Sequence, residues 1–232
     1  MNEIPSSAMV IVAHPDDAEF GCAGTVARWT KGGATVVYVI CTNGNKGTSD
    51  PDMIPERLAE IRQTEQTEAC RVLGVKDIVF LRHPDGELED TREFRGELVR
   101  EIRRYAPEVV ICQDTYRQSG ANHRDHRICG RVTLDAVYPY ARDRLHFPEL
   151  YNQGFLPHKV GTVLLSGPDE PDVFVDISDT LEIKLQALMC HTSQFGDAAQ
   201  EIQNRMREGA QVTGGKGGVP YAEAYRKIEL RR

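Results

Sequence analysis

Short apolar runs rich in Val and Ile alternate with longer amphipathic stretches through the first two-thirds of this chain. That alternation leaves few folds open. The runs cover residues 9–13, 35–41, 78–81, 109–112, 160–165 and 173–177, and most are almost unbroken in hydrophobicity. Strands buried on both faces read this way, whereas half-buried strands alternate. Helices are predicted between them. Residues 20–31 end at Gly32-Gly33, a helix stop signal. Residues 55–73 begin with Pro at a first-turn position and end at Gly74. Residues 93–105 halt before Pro107, and residues 125–137 halt before Pro139. A β-α-β-α order of this kind predicts an α/β fold, Rossmann-like and doubly wound. Its mostly parallel sheet would carry helices on both faces. Right-handed crossovers then gather the C-terminal strand ends on one edge, where open α/β sheets hold their ligands. Past the last run, helices are predicted over 179–192 and 198–207. The Gly-rich residues 209–220 read as a mobile loop and residues 221–228 as a short helix. No repeat and no interdomain linker interrupts the pattern, so one domain over residues 1–232 is expected.

Composition narrows the function classes. The chain is 40% apolar, enough for a sizeable core. A formal charge of -7 argues against nucleic acid, whose phosphates require a basic face. Arg100, Arg103 and Arg104 read as the solvated side of a helix. The first residues carry neither a basic nor a long apolar segment of the signal-peptide kind, and no apolar stretch reaches the ~18 residues of a membrane span. A cytoplasmic protein without membrane contact is expected. The six cysteines are scattered without a CxxC pair, and several fall in apolar runs. Neither a disulfide framework nor a zinc-thiolate site is indicated.

Two polar clusters break the pattern at informative places. His14-Pro15-Asp16-Asp17 follows the first apolar run directly. Asn122-His123-Arg124-Asp125-His126 lies in the loop region after the fourth run. The fold would bring both to the same sheet edge. Hydrolytic zinc takes three protein ligands and keeps a fourth position open. His14 and either Asp16 or Asp17 suit two of those places, and a third ligand must come from elsewhere in the chain. His123 and His126, three residues apart, share one face of a helical turn, so one can bind a metal while the other faces a substrate. An Asp in the first loop also suits a helix cap, but two His/Asp clusters at matching strand ends favour a metal site. The surplus carboxylate then serves as a base, which hydrolysis needs in addition to ligands.

The stretch Ala13-His14-Pro15-Asp16-Asp17-Ala18-Glu19-Phe20-Gly21-Cys22-Ala23-Gly24-Thr25 resembles the signature of the PIG-L/LmbE-like deacetylases. These zinc enzymes remove N-acetyl groups from N-acetylglucosaminyl compounds. Their His-x-Asp-His signature is matched by His123-Arg124-Asp125-His126, and their K-x-x-A-x-x-x-H-x-S-Q segment by residues 184–194. Glu223 falls in a terminal A-E-A motif. Carried over by position, the resemblance implies one Zn2+ per chain, held by His14, Asp17 and His126. It implies Asp16 as general base and His123 as the group that stabilises the oxyanion or protonates the leaving amine. Arg62, in its R-x-x-E context, is implied as substrate-binding, with Asp85 toward sugar hydroxyls and His191 as further support. Many family members carry Glu directly after the two Asp, whereas this chain has Ala18 and then Glu19. The implied activity is hydrolysis of the N-acetyl group of a small-molecule GlcNAc conjugate, giving acetate and a free amino sugar. Homo-oligomers are common among the resembling proteins.

Other readings compete. An amidase acting on a related glucosaminyl conjugate would use the same residues. Two His and one carboxylate also describe non-haem iron oxygenases, but oxygen activation gives no role to a spare Asp16. A non-catalytic sugar-binding protein would not need the complete set of ligands and base. The Gly-rich residues 209–218 lack the spacing of a phosphate loop.

Overall fold

A computed structural model describes residues 3–120 and 122–230. The elements run β1 (Ser7–Val12), α1 (Asp17–Gly21), α2 (Ala23–Lys31), β2 (Thr35–Thr42), α3 (Pro55–Leu73), β3 (Asp77–His83), α4 (Arg92–Tyr105), β4 (Val109–Gln113) and α5 (Arg124–Asp135). Residues Ala136–Tyr140 follow α5 across a kink at Tyr138, whose backbone is extended (φ -144°, ψ 119°). Then come α6 (Pro148–Asn152), β5 (Thr162–Ser166), β6 (Val173–Asp176), α7 (Leu181–Leu188), α8 (Thr192–Phe195), α9 (Ala199–Gly217) and β7 (Ala222–Glu229).

Among the described residues, seven strands form one sheet in the order β3-β2-β1-β4-β5-β7-β6. Neighbours from β3 through β5 are parallel, and β7 runs antiparallel between β5 and β6. The α/β architecture expected from the apolar runs is therefore present. In β1 the side chains alternate between two cores. Ala8, Val10 and Val12 join Trp29, Tyr38 and Leu73 on one face, while Met9 and Ile11 join Leu98, Ile102 and Val132 on the other. Both faces are covered, so the strand reads as a continuous apolar run. The chain winds outward from β1 to β2 and β3, then crosses back to β4 on the other side of β1. The β1/β4 boundary is thus the switch point, and its C-terminal side is a natural crevice. No helix among the described residues is long and apolar enough to cross a membrane.

Three expectations are corrected. The Gly-rich residues 209–220 are largely helical, since α9 continues to Gly217. Their glycines serve close packing. A Cβ at Gly214 would lie 2.6 Å from the carbonyl oxygens of Val219 and Pro220, and one at Gly217 would lie 2.8 Å from Phe174 Cβ. Residues 221–228 form no helix; all but Tyr221 fall in strand β7. Ala, Glu, Arg and Lys favour helix locally, but a slot between two strand edges, with Tyr225 fully buried, overrides that weak preference. Finally, Arg103 is buried, unlike the exposed Arg100 and Arg104. Its guanidinium donates to the carbonyls of Tyr140, Ala141, Asp143, His146 and Phe147 and holds that segment in place of a regular element.

Candidate metal and catalytic centre

The loop after β1 is pinned where it leaves the strand, through both backbone groups of Ala13. Ala13 N–H donates to Gln113 Oε1 at 3.0 Å, and Thr42 N–H donates to the Ala13 carbonyl at 2.7 Å. The chain then turns sharply, with Asp16 at φ 88°. A left-handed backbone at a non-glycine residue costs roughly 1–3 kcal/mol and persists only where its surroundings enforce it. The Asp16 carbonyl starts helix α1, accepting from Glu19 N–H and Phe20 N–H. Its carboxylate makes no capping bond. Instead Asp16 Oδ2 lies 3.1 Å from Arg62 Nη2, and Arg62 also donates to the carbonyls of Pro15 and Gly44.

His14, Asp17 and His126 converge. His14 Nδ1 is 3.2 Å from Asp17 Oδ2 and 3.2 Å from His126 Nε2, and His126 Nε2 is 3.1 Å from Asp17 Oδ1. Two ring nitrogens aimed at each other beside a carboxylate form a donor set suited to a divalent cation. The opposite ring nitrogen, His14 Nε2, lies 3.0 Å from Asp85 Oδ1 and 3.3 Å from Asp125 Oδ2. Carboxylates behind a ligating imidazole fix its tautomer and leave the other nitrogen free for the metal. Burial disfavours charge on His14, yet hydrogen bonds to Asp125, Asp17 and Asp85 outweigh it and push its pKa up to about 12. Asp17 is likewise buried, but hydrogen bonds from His126 and His14 hold it below the usual carboxylate range. Asp16 is pushed the other way, to about 7, first by burial and then by the charge of Asp17, against the opposing pull of Arg62.

His123 caps α5: its Nδ1 accepts from Asp125 N–H at 3.1 Å, so the ring proton of the neutral form sits on Nε2. Its ring stands edge-on to His14, with centroids 4.7 Å apart. Burial and the nearby His14 charge lower its pKa, which favours that neutral form.

The three expected substrate contacts turn inward. Arg62 is buried against Asp16, as above. Asp85 is buried, with Oδ1 against His14. His191 is fully enclosed, with Nε2 3.2 Å from Glu19 Oε2. The remaining motif residues also support the loop. Glu65 accepts from Thr192 Oγ1, Ser193 N–H and Ser193 Oγ, and Gln194 donates to the Gly47 carbonyl. Lys184 pairs with Glu223 at 2.6 Å, and Glu223 receives the Gly24 and Thr25 N–H groups at the start of α2. Sequence reasoning assigned no role to Asp125, Glu19 or Gln66. Asp125 accepts from Gly86 N–H and Leu88 N–H as well as backing His14. A signal for Gln66 was present: it follows Arg62 by four residues, hence on the same helix face.

The chain is similar to known proteins in sequence and in fold. Residues 9–137 match the family model described as PIG-L, GlcNAc-PI de-N-acetylase. Diacetylchitobiose deacetylase of Thermococcus kodakarensis is 36% identical over 221 residues, which cover 95% of this chain and 82% of the relative. Mycothiol S-conjugate amidase of Streptomyces coelicolor is 30% identical, covering 81% of this chain and 82% of the relative. Among solved structures, N,N'-diacetylchitobiose deacetylase from Pyrococcus horikoshii in complex with its inhibitor MPG superposes with a TM-score of 0.92 at 32% identity. The match covers 97% of this chain and 84% of that one. By matched sequence, fold and the arrangement of its two His/Asp clusters, the chain belongs to the PIG-L/LmbE family of metal-dependent N-deacetylases and amidases.

Proposed function

We propose that this protein is a zinc-dependent hydrolase that removes the N-acetyl group from an N-acetylglucosamine-containing small molecule, releasing acetate and a free amino sugar. The observation that carries the reading is a division of labour in one loop. His14 Nδ1, His126 Nε2 and the Asp17 carboxylate converge on one point, while the adjacent Asp16 carboxylate is held apart by Arg62. His14, Asp17 and His126 would hold one zinc ion per chain, which when bound supplies Lewis acidity and lowers the pKa of water toward ~7.

Asp16 takes the proton of the attacking water. Its place beside the donor set, and Arg62 at one of its oxygens, leave the other oxygen for that transfer. His123 offers its Nε2–H as a hydrogen bond to the carbonyl oxygen as negative charge develops there. Stabilisation of this kind is typically worth ~3 kcal/mol per donor. Asp16 passes the proton taken from water on to the departing amine. Asp85 and Asp125 keep His14 oriented throughout.

The test is acetate release from N,N'-diacetylchitobiose and from other GlcNAc conjugates, with zinc restored to metal-free protein. Zinc-dependent acetate release from at least one conjugate is expected. Protein that binds zinc yet releases acetate from none of them would overturn the reading. Acids larger than acetate would point to the related amidase activity.

A further inference from the structure

We propose that Gln66, oriented by Glu19 and His191, is a positioning residue that locks the left-handed backbone of Asp16 and so aims its carboxylate. This rests on the reading of Asp16 as the base. Asp16 N–H donates to Gln66 Oε1 at 2.9 Å. Gln66 Nε2 lies 3.1 Å from both oxygens of Glu19, and Glu19 Oε2 is 3.2 Å from His191 Nε2. Glu19, Gln66 and His191 are all 0% exposed. A buried polar line thus runs from the α7–α8 turn, through α1 and α3, to the backbone of a strained active-site residue.

Charge sets the direction of that line. A carboxylate only accepts hydrogen bonds, so Glu19 compels both its neighbours to donate. Gln66 must turn its NH2 toward Glu19, which leaves its carbonyl facing Asp16 N–H. His191 must carry its ring proton on Nε2, and its Nδ1 has no partner among the described residues. Glu19 therefore decides which way the Gln66 amide points, although its side chain never touches Asp16. Glu65 anchors the far end by gripping Thr192 and Ser193 beside His191. Arg62 holds the Asp16 carboxylate from another direction. Backbone and side chain of the base are thus fixed independently.

The test exchanges the two groups. Glu19→Gln removes the charge that orients Gln66, and Gln66→Glu sets two carboxylates against each other. The double variant Glu19→Gln/Gln66→Glu restores the pattern with the charge moved along the line. The carboxylate now at position 66 would accept from Asp16 N–H and from the amide now at position 19, whose carbonyl takes the His191 proton. Two readouts are made on zinc-loaded protein. One is hydrogen exchange at the Asp16 amide, which reports the contact whether or not the enzyme turns over. The other is kcat and KM for acetate release from N,N'-diacetylchitobiose.

Glu19→Gln is expected to lose Asp16 amide protection and to lower kcat about 100-fold, the cost of a misplaced reacting group, whereas Gln66→Glu keeps an acceptor for Asp16 N–H and should lose thermal stability to the opposed carboxylates. KM should stay within about threefold, and zinc content should be unchanged. The double variant should regain both protection and kcat. Singles that unfold leave the double variant as the deciding one. Unchanged Asp16 protection in Glu19→Gln overturns the proposal. So does a double variant that recovers thermal stability without recovering protection. Wild-type protein with a protected Asp16 amide but no acetate release defeats the functional reading alone, and the exchange data still decide the positioning.

Discussion

Glu223→Gln tests how a buried ion pair beside α2 is distributed between its members. Glu223 and Lys184 sit 2.6 Å apart, both almost fully enclosed. They are not equivalent. Glu223 also accepts from Gly24 N–H at 2.9 Å, Thr25 N–H at 2.7 Å and Tyr225 OH at 3.0 Å. Among the described residues Lys184 has one further partner, the Phe20 carbonyl at 2.8 Å. Neutralising Glu223 leaves an ammonium without a counter-charge, which costs about 3–5 kcal/mol. It also turns an NH2 toward a backbone donor of α2, adding about 1 kcal/mol or more. Lys184→Met leaves Glu223 charged but still holding three donors at a helix N-terminus, where an anion is favoured. Its cost should be about 1–3 kcal/mol. Glu223→Gln should therefore be the more damaging by at least about 1 kcal/mol, a measurable share of a typical 5–15 kcal/mol stability. Urea unfolding of both variants, compared at equal m, measures the difference. Equal costs, or a larger cost for Lys184→Met, would refute the asymmetry.

Three further outcomes are expected. Asp16→Asn should retain zinc but lose about 100-fold or more in kcat, the usual contribution of a positioned base, whereas His126→Ala should lose the metal; zinc content measured beside turnover separates the two. His123→Ala should lower kcat strongly while leaving KM nearly unchanged, and an effect confined to KM would remove it from the transition state. In α9, Gly214→Ala should destabilise by about 1–3 kcal/mol, since its Cβ meets two carbonyl oxygens at 2.6 Å. Gly215→Ala, next to it with nothing within 4 Å, should stabilise by about 0.5–1 kcal/mol. Thermal melts of the pair check that the signs are opposite.

What could be read before the structure was known follows from which signals are local. The apolar run before His14 marks β1 because burial on both faces leaves no polar alternation to obscure it. The two His/Asp clusters are legible because their residue types are costly to place at strand ends without a purpose. Strand β7 was not legible. Its Ala-Glu-Ala-Tyr-Arg-Lys sequence favours helix, and only the slot between β5 and β6 makes it a strand. The glycines of α9 mislead for a related reason, since their value lies in a contact with residues 219–220 and 174 that no local window contains. Arg62, Asp85 and His191 were identifiable as residues tied to the site. Which way they face depends on Asp16, His14 and Glu19, partners from distant segments, and burial turned all three toward the protein.

The place of β7 has a consequence for the order in which the sheet can be completed. Residues 222–229 are translated after the other six strands, yet they lie between β5 and β6 rather than at the sheet margin. Until they leave the ribosome, β6 has no neighbour to pair with, Lys184 lacks its counter-charge and the N–H groups that open α2 have no acceptor. The five-strand parallel portion can assemble during synthesis, while the polar network that joins Lys184 and the start of α2 must wait for β7 to be threaded into its gap. Closure of the sheet and capping of α2 are therefore one late event, because the strand that fills the gap also carries the glutamate that α2 requires.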